Sequence, residues 1–310
     1  MGKELLFDFP SPSRDSLKIY GYRFRGNSGF PSVAIVAGLR GDEVIQLYVA
    51  SQLIKFLNER HKNDPYFIKG EILIIPAVNT YGFNIDKRYW PLDNTDISRM
   101  FPGYNRGETT QRIAALLFEK IQGFDYGIKL TSGIKSVKYI PHIKVFDMEN
   151  SDIKSAYGFG LRYIHKIKPK PYDTVSLTYN WHIWNTKAYS IYGGKTGEID
   201  FDYGKSIKNA VLRFLSKKGV INYRMHELFC PSVITDENLM NIKTTEAGIF
   251  HPFKNVGDTV TKGDTLFVVE DPISGEVKTK IKSPVDGIIF QKHSYPLIYQ
   301  GTSAYKIVTV

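Results

Sequence analysis

The stretch Ser32-Val-Ala-Ile-Val-Ala-Gly-Leu-Arg-Gly-Asp-Glu43 decides how this chain folds. Its apolar half is continuous rather than alternating and stops at Gly38, the pattern of a strand buried on both faces. From Glu43 to about Glu59 the spacing becomes helical, with Leu47, Ala50, Ile54 and Leu57 on one side. A buried strand running into a helix is the opening of an α/β unit. Arg40 and Glu43 lie three apart at the junction, where they are expected to form a charge pair.

The pattern repeats outward from there. Glu71–Pro76, Asp125–Leu130 and Ala188–Tyr192 read as further strands, and residues 108–122 and 203–217 as helices. In the last helix Ile207, Ala210, Val211, Phe214 and Leu215 form the apolar stripe. Strands alternating with helices predict a largely parallel α/β sheet with helices on both faces. From about residue 226 the helical period disappears and Gly/Asp turns separate short apolar strands, as at 256–264 and 283–290. Two domains are therefore expected, residues 1–225 and residues 226–310. Between Asn79 and Gly103 little periodicity survives, and this long connection follows a predicted strand, where open α/β sheets bind ligands.

The 310 residues are 42% hydrophobic and 23% charged, the composition of an ordinary globular protein. One cysteine, Cys230, excludes an intrachain disulfide and a Cys-rich metal knuckle. No window reaches the roughly 18 apolar residues of a membrane span, and the first residues lack a signal peptide's apolar core. A cytoplasmic protein is expected. The 41 Lys and Arg against 31 Asp and Glu give a net charge of +10. Such an excess suits nucleic acid, an anionic surface or an acidic small ligand.

Five motifs occur in order: Gly38-Leu-Arg-Gly-Asp-Glu43, Val78-Asn-Thr-Tyr-Gly-Phe83, Asp96-Ile-Ser-Arg-Met-Phe-Pro-Gly103, Gln111-Arg-Ile-Ala114 and Asp125-Tyr-Gly-Ile-Lys-Leu-Thr131. Together they resemble the succinylglutamate desuccinylase/aspartoacylase family, a branch of the zinc-carboxypeptidase-like fold. The resemblance implies an α/β domain whose mixed sheet is flanked by helices. It also implies a small C-terminal all-β barrel-like domain, from about Glu246, akin to lipoyl and biotinyl modules. For activity it implies zinc-dependent hydrolysis of an amide C–N bond in an N-acyl amino acid. A His and a Glu of a G-x-H-G-x-E stretch and a later His of a D-L-H stretch would hold the metal, whose bound water is activated. A Glu in a T-V-E-x-G-G-like stretch would act as general base.

This chain departs from that pattern at nearly every point. Arg40 stands where the first His is expected, and only Glu43 remains as a remnant ligand. The D-L-H stretch reads Lys129-Leu-Thr131, so Thr131 takes the place of the second His. At the general-base position the chain has Tyr192. The seven histidines include no H-x-x-E or H-x-x-x-H pair, although His142 and His182 lie on segments able to approach the site. No cofactor is expected, and a divergent member without zinc hydrolysis is the leading reading. Its cleft would bind an anion through Arg99, Arg88, Ser98, Arg40 and Lys129. Arg99 matches the family's carboxylate-gripping Arg, Ser98 replaces its Asn, and Arg88 is the upstream counterpart. The alternative for both arginines is pairing with Asp93 or Asp96 to pin the loop, and Asp96 itself is expected to orient the loop.

Two other function classes compete with this reading. One is an active metal-dependent amidohydrolase with a non-standard ligand set. The other is nucleic-acid or partner binding through residues 129–170, where nine basic residues meet three acidic ones and Tyr139, Phe146, Tyr157, Phe159 and Tyr163 are interleaved. No RNA-binding signature accompanies that stretch, so a small anionic partner is favoured over nucleic acid. There is no G-x-S-x-G elbow, no P-loop spacing at Lys195-Thr196 and no M-K-M carrier triplet near Lys278, Lys280 and Lys282.

Overall fold

The apolar run at 32–36 is a strand covered on both sides. Val33 and Ile35 lie in one core, and Ala34 and Val36 in the other. The computed structural model describes residues 2–10, 15–27, 29–149, 151–226 and 230–309. In chain order the first elements are β1 (Gly2–Phe9), β2 (Leu17–Arg25), β3 (Ser32–Val36), α1 (Val44–Asn63), β4 (Glu71–Ile75), α2 (Thr80–Asn84) and α3 (Thr109–Ile121). They are followed by β5 (Tyr126–Thr131), β6 (Val137–Phe146), α4 (Ile153–Ala156), β7 (Tyr163–Ile167), α5 (Leu177–Ile183), β8 (Lys187–Lys195) and α6 (Phe201–Lys217). The remainder is β9 (Ser232–Ile234), β10 (Leu239–Lys243), β11 (Gly248–Pro252), β12 (Thr259–Val260), β13 (Thr265–Glu270), β14 (Val277–Lys282), β15 (Gly287–His293), β16 (Leu297–Ile298) and β17 (Ser303–Thr309).

The fold is mixed α/β, and only its centre is parallel. Strands β4, β3, β5 and β8 run side by side in one direction. Antiparallel neighbours extend the sheet on both flanks, β2 and β1 beyond β4 and β6 beyond β8. Helices α1 and α6 cover one face, whereas α3 and α5 cover the other. The helix expected at 43–59 ends four residues later, at Asn63, and buries Ile45, Val49 and Leu53 besides Ala50, Ile54 and Leu57, while Leu47 is half-buried on its flank. The long connection after β4 is not featureless. It contains α2 and a 3-10 turn at Ile97–Arg99.

At Gly38 φ is +62°, and a Cβ would stand 2.8 Å from the Ala77 Cα. Glycine is needed there to turn the chain from β3 into Arg40–Glu43. At Gly127, in the middle of β5, the reason is packing. A Cβ would lie 2.6 Å from the Trp181 indole, whose Nε1 donates to the Ile121 carbonyl at 3.2 Å. The bare backbone of β5 is what lets α5 lie against the sheet.

Strand β6 joins this sheet to the C-terminal region. On the edge away from β8, its first residues, Val137–Tyr139, pair with β15, and its later residues, His142–Phe146, pair with β7. β15, β17 and β10 continue antiparallel, and a second sheet of β14, β13, β11 and β16 packs on them around Phe250, Phe267, Ile289, Tyr305 and Ile307. At the fork the buried His142 ring stacks on Tyr192 and lies 4.6 Å from Phe290 of β15. Among the described residues no helix is long and apolar enough to cross a membrane.

Two outcomes follow from this packing. Gly127→Val should lower the free energy of unfolding by about 1–3 kcal/mol through overpacking against Trp181, read by urea denaturation. An unchanged midpoint would contradict that packing. Burial pushes the His142 imidazole down to about 3, against an ordinary value near 6.5. The unfolded chain therefore binds a proton that the native state refuses, so stability falls as pH drops through that window. His142→Phe keeps a ring in the stack and should make the acid-side loss of stability shallower by one proton's worth of slope. Identical slopes would show that His142 is charged in the native protein.

Candidate functional site

The turn after β3 delivers Arg40, Asp42 and Glu43 to the carboxyl end of the parallel strands, and α1 starts at Val44. Glu43 occupies the N-cap position, yet its side chain does not cap the helix. It reaches across to the end of β5 instead. Its Oε1 accepts from the Thr131 hydroxyl at 2.7 Å and from the Ser132 amide at 3.1 Å, and the Arg40 guanidinium lies 3.6 Å away. The expected Arg40–Glu43 pair is therefore present. Arg40 also donates from Nε to Asp96 Oδ1 at 3.2 Å and from its second terminal nitrogen to Oδ2 at 2.9 Å, in the two-point geometry that suits a guanidinium and a carboxylate.

Burial alone would pull Arg40 down; Glu43 and Asp96 outweigh it and hold the guanidinium above its ordinary value. Conversely, burial would raise Asp96, but Arg40 keeps its carboxyl below the usual range. Asp96 also caps the 3-10 turn by accepting from the Ser98 amide at 3.0 Å. It thus orients the loop through Arg40. Arg88 has a different anchor from either carboxylate weighed from sequence. It lies 3.5 Å from Asp42 and donates to the Gly133 carbonyl at 3.2 Å, away from the cavity described next. Arg99 donates to the Tyr172 carbonyl at 2.8 Å, with its guanidinium 5.2 Å from that ring's centroid.

A cavity of about 200 Å³ opens beside this network, on the α3–α5 face of the sheet. Arg40, Arg99, Lys129 and Lys144 supply its cations, Ser98, Ser176, Thr178, Ser190 and Tyr192 supply hydroxyls, and Asp173 is its one acidic side chain among the described residues. The floor is a pleated surface. Lys129, Ser190 and Lys144 are register neighbours across β5, β8 and β6, and Thr131, Tyr192 and His142 form the next row. Alternation along each strand puts both rows on the same face. Lys129 is buried, and that burial, with the Arg40 guanidinium beside it, pushes its ammonium down to about 8. Lys144 lies between the Phe146 and Tyr192 rings, 5.5 and 5.7 Å from their centroids.

The structure thus gathers Arg40, Glu43, Ser98, Arg99, Lys129, Thr131 and Tyr192, and holds Arg88 to one side. Lys144, Tyr172, Ser176, Thr178 and Ser190 also line the cavity without having been singled out from sequence. For Ser190 and Lys144 a signal existed, because each lies two residues from a cavity-facing neighbour on its strand. Tyr172 and Ser176 come from an irregular connection with no period to read. His182 is buried, and burial pushes its imidazole down to about 4. Among the described residues no three His, Cys, Asp or Glu side chains gather to hold a metal ion.

The basic residues of 129–170 do not share one face. Lys135, Lys138 and Lys166 pair with Asp86, Asp200 and Asp147, and Lys129 and Lys144 point into the cavity. Phe146, Phe159 and Tyr163 are buried, which withholds their rings from stacking on bases.

Residues 30–216 match the sequence profile of the succinylglutamate desuccinylase/aspartoacylase catalytic domain. The N-alpha-acetyl-L-2,4-diaminobutyric acid deacetylase of Halomonas elongata is 21% identical over 271 residues, covering 84% of this chain and 76% of its own length. A succinylglutamate desuccinylase from a Silicibacter species superposes with a TM-score of 0.80 at 20% identity, over 100% of this chain and 95% of its own. The product-bound ectoine utilization protein EutE of Ruegeria pomeroyi gives 0.80 at 19% identity, over 100% and 96%. At these identities the solved structures share the fold with this chain. The profile match spans more than half of the sequence and carries the motifs at 38–43 and 125–131. On that match, the chain belongs to the succinylglutamate desuccinylase/aspartoacylase family.

Proposed function

We propose that the cavity binds a small carboxylate of the N-acyl amino acid class and that zinc-dependent hydrolysis does not take place there. The observation that carries this reading is the surroundings of Glu43. Its inward oxygen already accepts two hydrogen bonds, from Thr131 and Ser132, and faces a guanidinium at 3.6 Å. A catalytic zinc needs about three protein donors plus an open position for water. Here Glu43 is the one family donor retained, a hydroxyl stands in place of one imidazole and a cation, itself paired with Asp96, in place of the other. That donor set does not fit zinc, because Arg40 supplies positive charge without a vacant coordination position.

The general-base position is equally altered. The Tyr192 ring is stacked on His142 and lies beside the Lys144 ammonium. The wall that remains suits anion capture. Arg99 spends one terminal N–H on Tyr172 and keeps others for a carboxylate, and Lys129 and Lys144 form no ion pair with a carboxylate among the described residues. The named activity of the Halomonas elongata relative, a deacetylase of an N-acetylated amino acid, supplies the ligand class.

Metal analysis of protein purified without chelator should find zinc far below one equivalent, with no release of acetate from N-acetyl amino acids. Stoichiometric zinc together with deacylase activity would overturn the reading. N-acetylaspartate or succinate should raise the melting temperature saturably, and Arg99→Ala should remove most of that shift. A shift of the same size in the variant would take the ligand away from Arg99.

A further inference from the structure

A larger cavity, about 480 Å³, lies on the other face of the sheet, beside the carboxyl end of α6. Lys218, on its rim, lies over the ring of Tyr126, the first residue of β5, so this cavity belongs to the opposite end of the strands from the site above. Its deepest charged group is Arg213, which is 5% exposed. Arg213 donates Nε to the Phe159 carbonyl at 3.0 Å and a terminal nitrogen to the Gly160 carbonyl at 3.5 Å. The turn is built around it, since Gly160 has a φ of +62° and a Cβ there would stand 2.8 Å from Arg213 Nε.

Those two bonds use two of the five N–H groups of a guanidinium, and no carboxylate among the described residues pairs with it. A buried charge without a counter-charge is costly, and a ligand anion would relieve that cost. Burial alone pulls this guanidinium below its ordinary value. Lys154, Lys217 and Lys218 surround the cavity, with the Lys218 ammonium donating to the Ser155 hydroxyl. No acidic side chain among the described residues lines it, and Tyr157, Met225 and Pro231 give it an apolar wall.

We propose that this cavity is a second anion site that takes a phosphate-bearing small molecule, with its phosphate on Arg213 and Lys218 and its organic body against Tyr157, Met225 and Pro231. A planar guanidinium beside several ammonium groups suits a dianionic phosphate, and the volume exceeds what a bare ion fills. The site is separate from the carboxylate cavity and does not depend on the reading given for it.

The single cysteine, Cys230, is exposed and lines this cavity, which makes it a local reporter. Calorimetry at low ionic strength with AMP, inorganic phosphate and adenosine, paired with the rate at which a thiol reagent modifies Cys230, tests the proposal. AMP should bind saturably and slow the thiol reaction, inorganic phosphate should bind more weakly, and adenosine should not bind. Lys154→Glu with Lys218→Glu, both on the rim, should weaken AMP by about tenfold or more, whereas Arg99→Ala should leave it unchanged. The proposal is overturned if neither AMP nor inorganic phosphate binds, or if Cys230 reacts at the same rate with AMP present. Binding that survives the rim variant but is lost in Arg99→Ala would likewise overturn it by placing the phosphate in the other cavity. Inorganic phosphate bound as tightly as AMP would remove the organic body from the assignment.

Discussion

The Arg40 guanidinium, held between Glu43 and Asp96, is the interaction on which the site depends. It ties the turn after β3 to the long connection after β4, and that connection carries Ser98 and Arg99 to the cavity. Removing one partner of such a buried group typically costs about 3–5 kcal/mol, because the remaining charges stay buried without compensation. Here loss of the cation would strand two carboxylates at once. The same group supplies positive charge next to Glu43.

Beside that guanidinium the floor of the cavity is a patch of sheet. Lys129, Ser190 and Lys144 lie in one cross-strand row and Thr131, Tyr192 and His142 in the next. Ser190 separates the two lysines, so the like charges are not directly opposed, an arrangement that would be destabilising. Rows of this kind hold side chains more rigidly than loops do, which favours a preformed cavity. Arg40, Ser98, Arg99, Tyr172, Asp173 and Ser176 come from turns and connections, and the Arg99 guanidinium ties two of these segments together by donating to the Tyr172 carbonyl.

Much of this was legible in the sequence wherever a period exists. The runs at 32–36, 71–75 and 126–131 are buried strands because both their faces are covered, and the stripe at 207–215 is the inner face of α6. The i,i+3 spacing of Arg40 and Glu43 made their pairing readable. Bonds between distant segments left no trace of that kind. Asp96 lies 56 residues from Arg40, and Arg88 finds Asp42 rather than Asp93 or Asp96 because the loop's path, not its composition, decides which carboxylate it meets. The parallel sheet expected from strand–helix alternation gave way to a mixed one at its flanks. The hairpin β1–β2 and the long strand β6 lie outside the helix-alternating pattern, and pairing direction is set by connections between elements rather than by residue types.

Strand β6 is where the sheet forks, with Val137–Tyr139 serving β15 and His142–Phe146 serving β7. The His142 and Phe290 rings fill the crotch of that fork, in reach of Tyr139, Tyr163 and Tyr192. A wedge shared by two branches couples their shapes. A volume change at Phe290, far along the chain, shifts the ring that stacks on Tyr192 in the cavity wall. A substitution among the C-terminal strands therefore reaches the cleft wall through two ring contacts, from a residue that does not itself line the cavity.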